Sequence, residues 1–226
     1  MRLKQYLSVG LAVATTALLF NACKPKGAGN AVSGNAAEKA YVPPGQHDEF
    51  YNFVSGGFSG QLSVYGLPSG RLLRVIPVFS LDPEKGWGFS EETKPMLETS
   101  HGSVPWDDLH HVQLSKTDGE YDGKWVFVNA NNTPRIARVD LTTFRTAEIL
   151  ELPNSGGNHS SPFITENTEY VVAGTRFSVP LDGPGSDVPI STYKENFKGT
   201  LSFVSVNKDN GHMDIAFQIE TPGVNF

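Results

Sequence analysis

The chain has 226 residues, enough for one large domain or two small ones. Its formal net charge of −6 and the lack of any basic stripe argue against nucleic acid as a partner. Its single cysteine excludes an internal disulfide and any metal site built from a cysteine cluster.

Residues 1–22 have the pattern of an export signal. Arg2 and Lys4 precede the apolar run YLSVGLAVATTALLF, which has the length of a signal core and is short for a membrane span. The segment has no twin arginine, so it favours the general secretory route and a periplasmic location.

The residues at the end of this segment resemble a bacterial lipoprotein cleavage box. Leu19, Ala22 and Cys23 occupy the expected places, which would make Cys23 the lipid-bearing residue. The alternative is an ordinary signal that is cut nearby, with an incidental cysteine. Residues 23–46 are rich in Gly, Ala, Asn and Pro and predict a flexible tether.

From His47 onward the sequence predicts short strands and no long helix. The 23 glycines and 15 prolines of the chain favour turns, and no long window has helical periodicity. We therefore predict an all-β fold. The predicted strands are 60–67, 71–80, 124–130, 135–141, 146–152, 168–174, 199–207 and 212–220.

The spacing of these strands is typical of the blades of a β-propeller. The stretch WVFVNANNTPRIARVDLTTFRTAEILEL predicts a three-stranded meander, and KDNG joins the last two strands as a hairpin. Since a blade takes about 40–50 residues, residues 47–226 would hold roughly three and a half to four blades. Because propellers close with about four to eight blades, we predict part of a larger propeller.

Two adjacent histidines, His110 and His111, suggest a metal site. Successive side chains of a regular strand point to opposite faces, so both imidazoles reach one site only at a strand start or a bulge. The start of an inner blade strand faces the central channel of a propeller. A third histidine, His159, lies in a Gly- and Ser-rich stretch before the next blade and could point into the same channel.

Imidazole suits copper, zinc, iron and nickel, and each ligating histidine usually donates its other N–H to a carboxylate or carbonyl. Asp108 is well placed to accept such a bond. The alternative is a pair of solvated loop histidines. The remaining histidines, His47, His101 and His212, are interpreted as surface residues, and TDGEYDG (117–123) as a turn that lacks the ligand spacing of a calcium loop.

At these residues the chain resembles a known enzyme family. The stretch DDLHHVQLSKTDGEYDGKWVFVN, then PRIARVDL and ILELPNSGGNH, is similar to the N-terminal propeller of nitrous-oxide reductases, and so is YNFVSGGFSGQLSVYGLPSGRLLRVIPVF upstream. The likeness covers roughly residues 48–225. It implies the first three to four blades of a seven-bladed propeller and the reduction of nitrous oxide to dinitrogen and water.

The resemblance also implies roles for individual residues. The family holds a four-copper, sulfide-bridged cluster on seven histidines, and His110, His111 and His159 match three of them. Asp108 matches a carboxylate near the substrate pocket and is the candidate catalytic residue. The remaining ligands, calcium and a dinuclear copper centre in a cupredoxin domain would belong to a C-terminal part beyond Phe226.

The partners implied by the resemblance are nitrous oxide, a small electron-donor protein such as a cytochrome c or a cupredoxin, and a second subunit in a head-to-tail homodimer. The chain departs from the family where many members read Asn-Asp-Lys, since Ala130 and Asn131 replace the charged pair after Asn129.

Two further readings compete with the enzyme. An exported propeller lipoprotein could use the channel to bind a ligand without redox chemistry, but it would not need Asp108 and three matched histidines together. A two-metal hydrolase would require clustered acids beside the histidines, and Asp108 alone supports it poorly.

Overall fold

The computed structural model describes residues 34–159, 162–180 and 189–221. The predicted signal segment and Cys23 lie outside these residues. A compact unit begins at Ala40, and the residues before it belong to a separate unit. A short helix, Ala36–Ala40, buries no side chain. No helix in the described ranges combines the length and hydrophobicity needed to cross a bilayer.

The compact unit is all-β, as predicted, and its few helices are short. The strands are β1 (Phe50–Ser55), β2 (Gln61–Leu67), β3 (Leu72–Pro77), β4 (Glu98–Thr99), β5 (Gly102–Ser103), β6 (Leu109–Thr117), β7 (Glu120–Ala130), β8 (Arg135–Asp140), β9 (Arg145–Glu151), β10 (Phe163–Ile164), β11 (Tyr170–Gly174), β12 (Val179–Pro180), β13 (Phe197–Val206) and β14 (Met213–Thr221). The helices are the 3-10 turns Lys94–Leu97 and Ile190–Thr192 and the α-helical turn Tyr193–Asn196.

The strands form four antiparallel sheets within the described residues, and none of these sheets is closed. The first sheet has the order β1-β2-β3, and the second has the order β6-β7-β8-β9. The third sheet has the order β10-β11-β13-β14, with β12 also pairing with β13. The small pair β4-β5 forms the fourth sheet. In the first and second sheets each strand therefore pairs with the next one along the chain, whereas the third sheet passes from β11 to β13.

The second sheet packs between the first and the third, so both of its faces are buried. One apolar layer joins it to the first sheet through residues such as Leu62, Ile76 and Val126. The other layer joins it to the third sheet through Phe127 and Val204. A strand buried on both faces reads as a continuous apolar run, which is why β7 contains WVFV rather than an alternating pattern.

The first and third sheets each keep one partly solvent-exposed apolar face. On β14 the alternate residues Ile215, Phe217 and Ile219 are 37–48% exposed, and Phe217 stacks on Phe203 with ring centroids 4.5 Å apart. On β1 the aromatic side chain of Phe50 is 61% exposed. These two faces resemble the buried ones in composition but have no covering sheet among the described residues.

Of the stretch 117–123 that was predicted as a turn, only residues 118 and 119 form the turn between β6 and β7, and the others belong to the ends of these strands. Asp122, on β7, organises this hairpin. The hydroxyls of Ser115 and Thr117 donate to the Asp122 carboxylate at 2.5 and 2.9 Å, and the backbone N–H of Lys124 donates to it at 3.1 Å. Burial opposes the ionisation of Asp122, but these hydrogen bonds outweigh burial and hold its pKa below the usual value.

We expect Asp122 to contribute to the acid sensitivity of the fold. Because its folded-state pKa is lowered, its stabilising contribution is present above the unfolded-state pKa near ~3.9 and is lost as the pH falls through the lower folded value. Asp122→Asn should therefore unfold at lower urea concentration than the wild type at about pH 6, and the difference should shrink below about pH 4. Asp118→Asn in the same turn is the control, and parallel stability curves for Asp122→Asn and the wild type would contradict the assignment.

Candidate metal centre

The adjacent histidines lie on a β-bulge at the start of β6. Leu109 pairs with Ala130 and Val112 pairs with Val128, so that His110 and His111 together face the single residue Asn129. A bulge of this kind re-aims side chains that would otherwise alternate between the two faces of the sheet. The two imidazole rings therefore come together, with their centroids 4.4 Å apart.

His159 reaches the same place from the loop between β9 and β10. Gly157 lets this loop press against the turn after β7, since a Cβ on Gly157 would lie 2.5 Å from the carbonyl oxygen of Asn131. The ring centroid of His159 is 4.3 Å from that of His110 and 5.3 Å from that of His111. One ligand atom from each of the three imidazoles lies within 4.8 Å of the others.

The local electrostatics lower the pKa of two of the three imidazoles, His111 and His159. Burial lowers the pKa of His111, and the neighbouring rings of His110 and His159 lower it further. Burial also lowers the pKa of His159, assisted by His110 and Arg176 and opposed by Asp108. A neutral imidazole keeps a free lone pair, so His111 and His159 can bind a cation other than the proton.

A buried polar atom without a partner points to the same use. Nδ1 of His110 is buried and has no hydrogen-bond partner among the described residues. Such atoms are rare and costly in folded proteins unless water, an ion or a function accounts for them. Three clustered imidazoles fit a first-row transition metal such as copper or zinc.

Asp108 does not make the hydrogen bond predicted for it. Its Oδ2 accepts a hydrogen bond from Nδ2 of Asn131 at 2.8 Å, and Arg176 donates to Oδ1 of the same asparagine at 2.5 Å. The expected hydrogen bond from a histidine N–H to Asp108 is absent among the described contacts, and the amide of Asn131 is the side-chain donor to this carboxylate. The carboxylate stays near the cluster, since its charge acts on the pKa of His159.

The sequence did not predict the buried ion pair between Asp107 and Arg135, which lies next to the site. The Asp107 carboxylate accepts hydrogen bonds from the hydroxyl of Thr133 at 2.5 Å and from the backbone N–H of Asn132 at 3.1 Å, and it lies 3.4 Å from the guanidinium of Arg135. Arg135 packs over the ring of Phe79, 5.2 Å from its centroid. Both adjacent acids are buried, and the sequence did not indicate that Asp107 pairs with Arg135.

Burial lowers the pKa of Arg135, and the attraction of Asp107 opposes that effect. Both side chains are almost fully buried, at 1% and 0% exposure. The pair ties the turn after β7 to the residue that precedes Asp108. It therefore fixes the backbone from which the histidine-bearing bulge begins.

The other three histidines lie apart from the cluster and are exposed, as predicted. His101 is in the turn between β4 and β5. His212 lies 2.7 Å from a carboxylate oxygen of Glu148 and 3.5 Å from one of Asp214. His47 borders a cleft of about 340 Å³ next to the first sheet.

Several curated proteins that are similar to this chain are nitrous-oxide reductases. The chain is 36% identical over 195 residues to the nitrous-oxide reductase of Pseudomonas fluorescens, covering 85% of this chain and 29% of that protein. It is 34% identical over 216 residues to the nitrous-oxide reductase of Stutzerimonas stutzeri, covering 95% and 32%. The chain thus spans about a third of the length of these relatives.

The nitrous-oxide reductase of Ralstonia nicotianae is 36% identical over 182 residues, 71% of this chain and 28% of that protein. No protein-family model matches the chain. Among solved structures, hydrazine synthase of Kuenenia stuttgartiensis superposes with a TM-score of 0.45 at 13% identity, covering 73% of this chain and 38% of that one. That likeness is too weak to bear on fold or function.

Proposed function

Since this chain belongs to the nitrous-oxide reductase family, we propose that it is the N-terminal portion of an exported enzyme that reduces nitrous oxide. In that reaction one nitrous oxide, two electrons and two protons give dinitrogen and water. The substrate is inferred from the name of the relatives. The metal site is inferred from the cluster of three imidazoles in this chain. The whole-protein activity is proposed for the longer protein of which this chain would form the first third.

The single observation that carries the proposal is the histidine cluster. His110 and His111 come from the second sheet and His159 from the loop that enters the third sheet, yet their ligand atoms lie within 4.8 Å of one another. A solvated histidine pair would not need a bulge, a tightly packed glycine loop and an unpartnered buried nitrogen at one point. We assign these three residues as copper ligands.

Nitrous oxide is inert and binds metals weakly. Several copper ions side by side, some of them bound by these residues, would supply the electrons for its reduction. The side chains of this part of the chain would hold and orient the metal without being oxidised. Asp108 is held by Asn131 rather than by a histidine. Its carboxylate makes no hydrogen bond to the imidazoles among the described contacts, and we propose that it lies at the edge of the substrate pocket.

The architecture supports a partial propeller. The first, second and third sheets stack in chain order. His110 lies at the start of β6, the first strand of the second sheet, and His159 lies shortly before β10, the first strand of the third. Apolar residues on the outer faces of the first and third sheets, including Phe50 and Phe217, would be covered by further blades. We therefore propose the first three to four blades of a seven-bladed ring, formed by residues 47–226.

The cellular setting is proposed from the sequence. Residues 1–22 would direct export through the general secretory route to the periplasm, residues 23–46 would form the tether, and Cys23 would carry a lipid. A small electron-donor protein, such as a cytochrome c or a cupredoxin, would deliver electrons to a dinuclear copper centre in the remaining part of the protein. That part would also bind calcium and contact the partner subunit of a head-to-tail homodimer.

Anaerobic loading with Cu(I) tests the proposal. We expect the chain to retain copper through gel filtration and to compete for it with a chromogenic Cu(I) chelator. A chain that releases all of its copper to the gel matrix would contradict the metal site. That result would favour a propeller that binds another ligand, without redox chemistry.

The copper-loaded chain by itself should not consume nitrous oxide. Three imidazoles supply fewer than half of the seven histidines that the family resemblance implies for the cluster, so the reactive arrangement cannot form. Gas chromatography of the headspace, with a viologen reductant, measures the consumption. Turnover above that of free copper would overturn the assignment of this chain as only one part of the catalytic unit.

A further inference from the structure

Asn129 is a fully buried residue of β7 that carries no ligand atom but lies directly opposite the bulge. Its side chain is 0% exposed. It is the one residue that faces His110 and His111 across the strand pair. A buried amide needs hydrogen-bond partners for both its oxygen and its nitrogen.

The two ends of this amide bind the two segments that carry the histidines. Oδ1 of Asn129 accepts a hydrogen bond from the backbone N–H of His111 at 2.6 Å. Nδ2 of Asn129 donates to the backbone carbonyl of Asn158, the residue before His159. One side chain thus connects the bulge of the second sheet with the loop that leads to the third.

We propose that Asn129 is a positioning residue, which sets the separation between the His110–His111 pair and His159. The inference rests on the proposed metal site and adds a residue to it. The asparagine amide offers an acceptor and a donor at the two ends of one short side chain. Aspartate has the same shape but would present an oxygen to the carbonyl of Asn158, and alanine would leave both backbone groups unsatisfied.

Removing this amide should loosen the spacing without detaching the loop. The backbone N–H of Asn158 still donates to the carbonyl of Ala130 at 3.3 Å, and the backbone N–H of Arg176 still donates to the carbonyl of Gly157 at 2.7 Å. The loop would therefore stay on the second sheet. The imidazoles would then be held less firmly in place, and metal affinity depends on how well the ligands are positioned.

Asn167 offers a matched control, because it is an asparagine that connects the same two sheets at the other end of β6. Its Oδ1 accepts a hydrogen bond from the backbone N–H of Asp118 at 2.7 Å. Along an extended strand, the seven residues from His111 to Asp118 span roughly 23 Å. Asn167→Ala should lower thermal stability by losing this bond, without touching the histidines.

The experiment measures Cu(I) affinity by anaerobic chelator competition, with thermal melting of the same samples, on the full chain. We expect Asn129→Asp and Asn129→Ala to bind Cu(I) about 10–100-fold more weakly than the wild type, as for other groups that orient metal ligands. Asn167→Ala should lower the melting temperature and keep the wild-type affinity.

Wild-type affinity in both folded Asn129 variants would overturn the inference while leaving the metal site in place. An equal loss of affinity in Asn167→Ala would also overturn it, since affinity would then follow general stability. Absence of Cu(I) binding in the wild type would instead remove the proposed site, and the role of Asn129 with it.

Discussion

His159→Ala should weaken Cu(I) binding to the chain by more than about 100-fold, because removing a ligand should exceed the 10–100-fold cost of removing a group that only orients one. His159 is the sensitive choice, since it is the only member of the cluster that comes from outside β6. Without it the two remaining imidazoles are adjacent residues on one bulge. Chelator competition under anaerobic conditions gives the affinity.

His101→Ala is the control for this experiment. His101 is exposed in the turn between β4 and β5 and is not part of the cluster. Its replacement should leave the affinity within about twofold of the wild type. If His159→Ala also retained wild-type affinity, copper would be bound elsewhere and the three-histidine site would be rejected.

Asp107→Ala is expected to lower the free energy of unfolding by about 3–5 kcal/mol, the usual cost of removing one partner of a buried ion pair. The Arg135 guanidinium would remain buried beside the ring of Phe79 without its counter-charge. The hydroxyl of Thr133 and the backbone N–H of Asn132 would lose their acceptor as well. Urea unfolding followed by tryptophan fluorescence measures the change.

Two comparisons separate the ion pair from a general effect of losing an aspartate. Asp214→Ala removes a 74% exposed carboxylate that lies 3.5 Å from a ring nitrogen of His212, and exposed pairs contribute about 0–1 kcal/mol. Asp107→Ala combined with Arg135→Met should recover much of the lost stability, because no charge is then left buried. A cost below about 1 kcal/mol for Asp107→Ala alone would show that Arg135 finds solvent or another partner.

Most of the longer strands could be predicted from the sequence, because their signals are local. The hairpin that closes with KDNG and the meander around NNTP combine apolar runs with turn residues, and the structure has strands there at β13–β14 and β7–β9. Strand β1 was not predicted, and only the start of β6, around His110 and His111, was inferred. All residues of β1 are exposed or half-buried, so FYNFVS lacks the alternation that distinguishes a half-buried strand.

Of the candidate site, the sequence indicated the three histidines but not the contacts that hold them in place. Two adjacent histidines require a break in strand alternation if they are to share a site, and the bulge opposite Asn129 supplies that break. The partner of Asp108 could not be predicted, because Asn131 and Arg176 are separated from it by 23 and 68 positions in the chain. The sequence therefore predicted an acid near the histidines but not the amide that binds it.

What the sequence by itself determined is the all-β class of the fold and which histidines are candidate metal ligands. Strand periodicity, turn residues and the placement of His110, His111 and His159 are local properties, which are readable over a few residues. Only the tertiary structure decided how these pieces meet: that His159 crosses to the His110–His111 pair, and that Asn129 connects the two segments. The physical reason is that a hydrogen bond or a ring contact between distant segments depends on how whole sheets pack, and no short stretch of sequence encodes that packing.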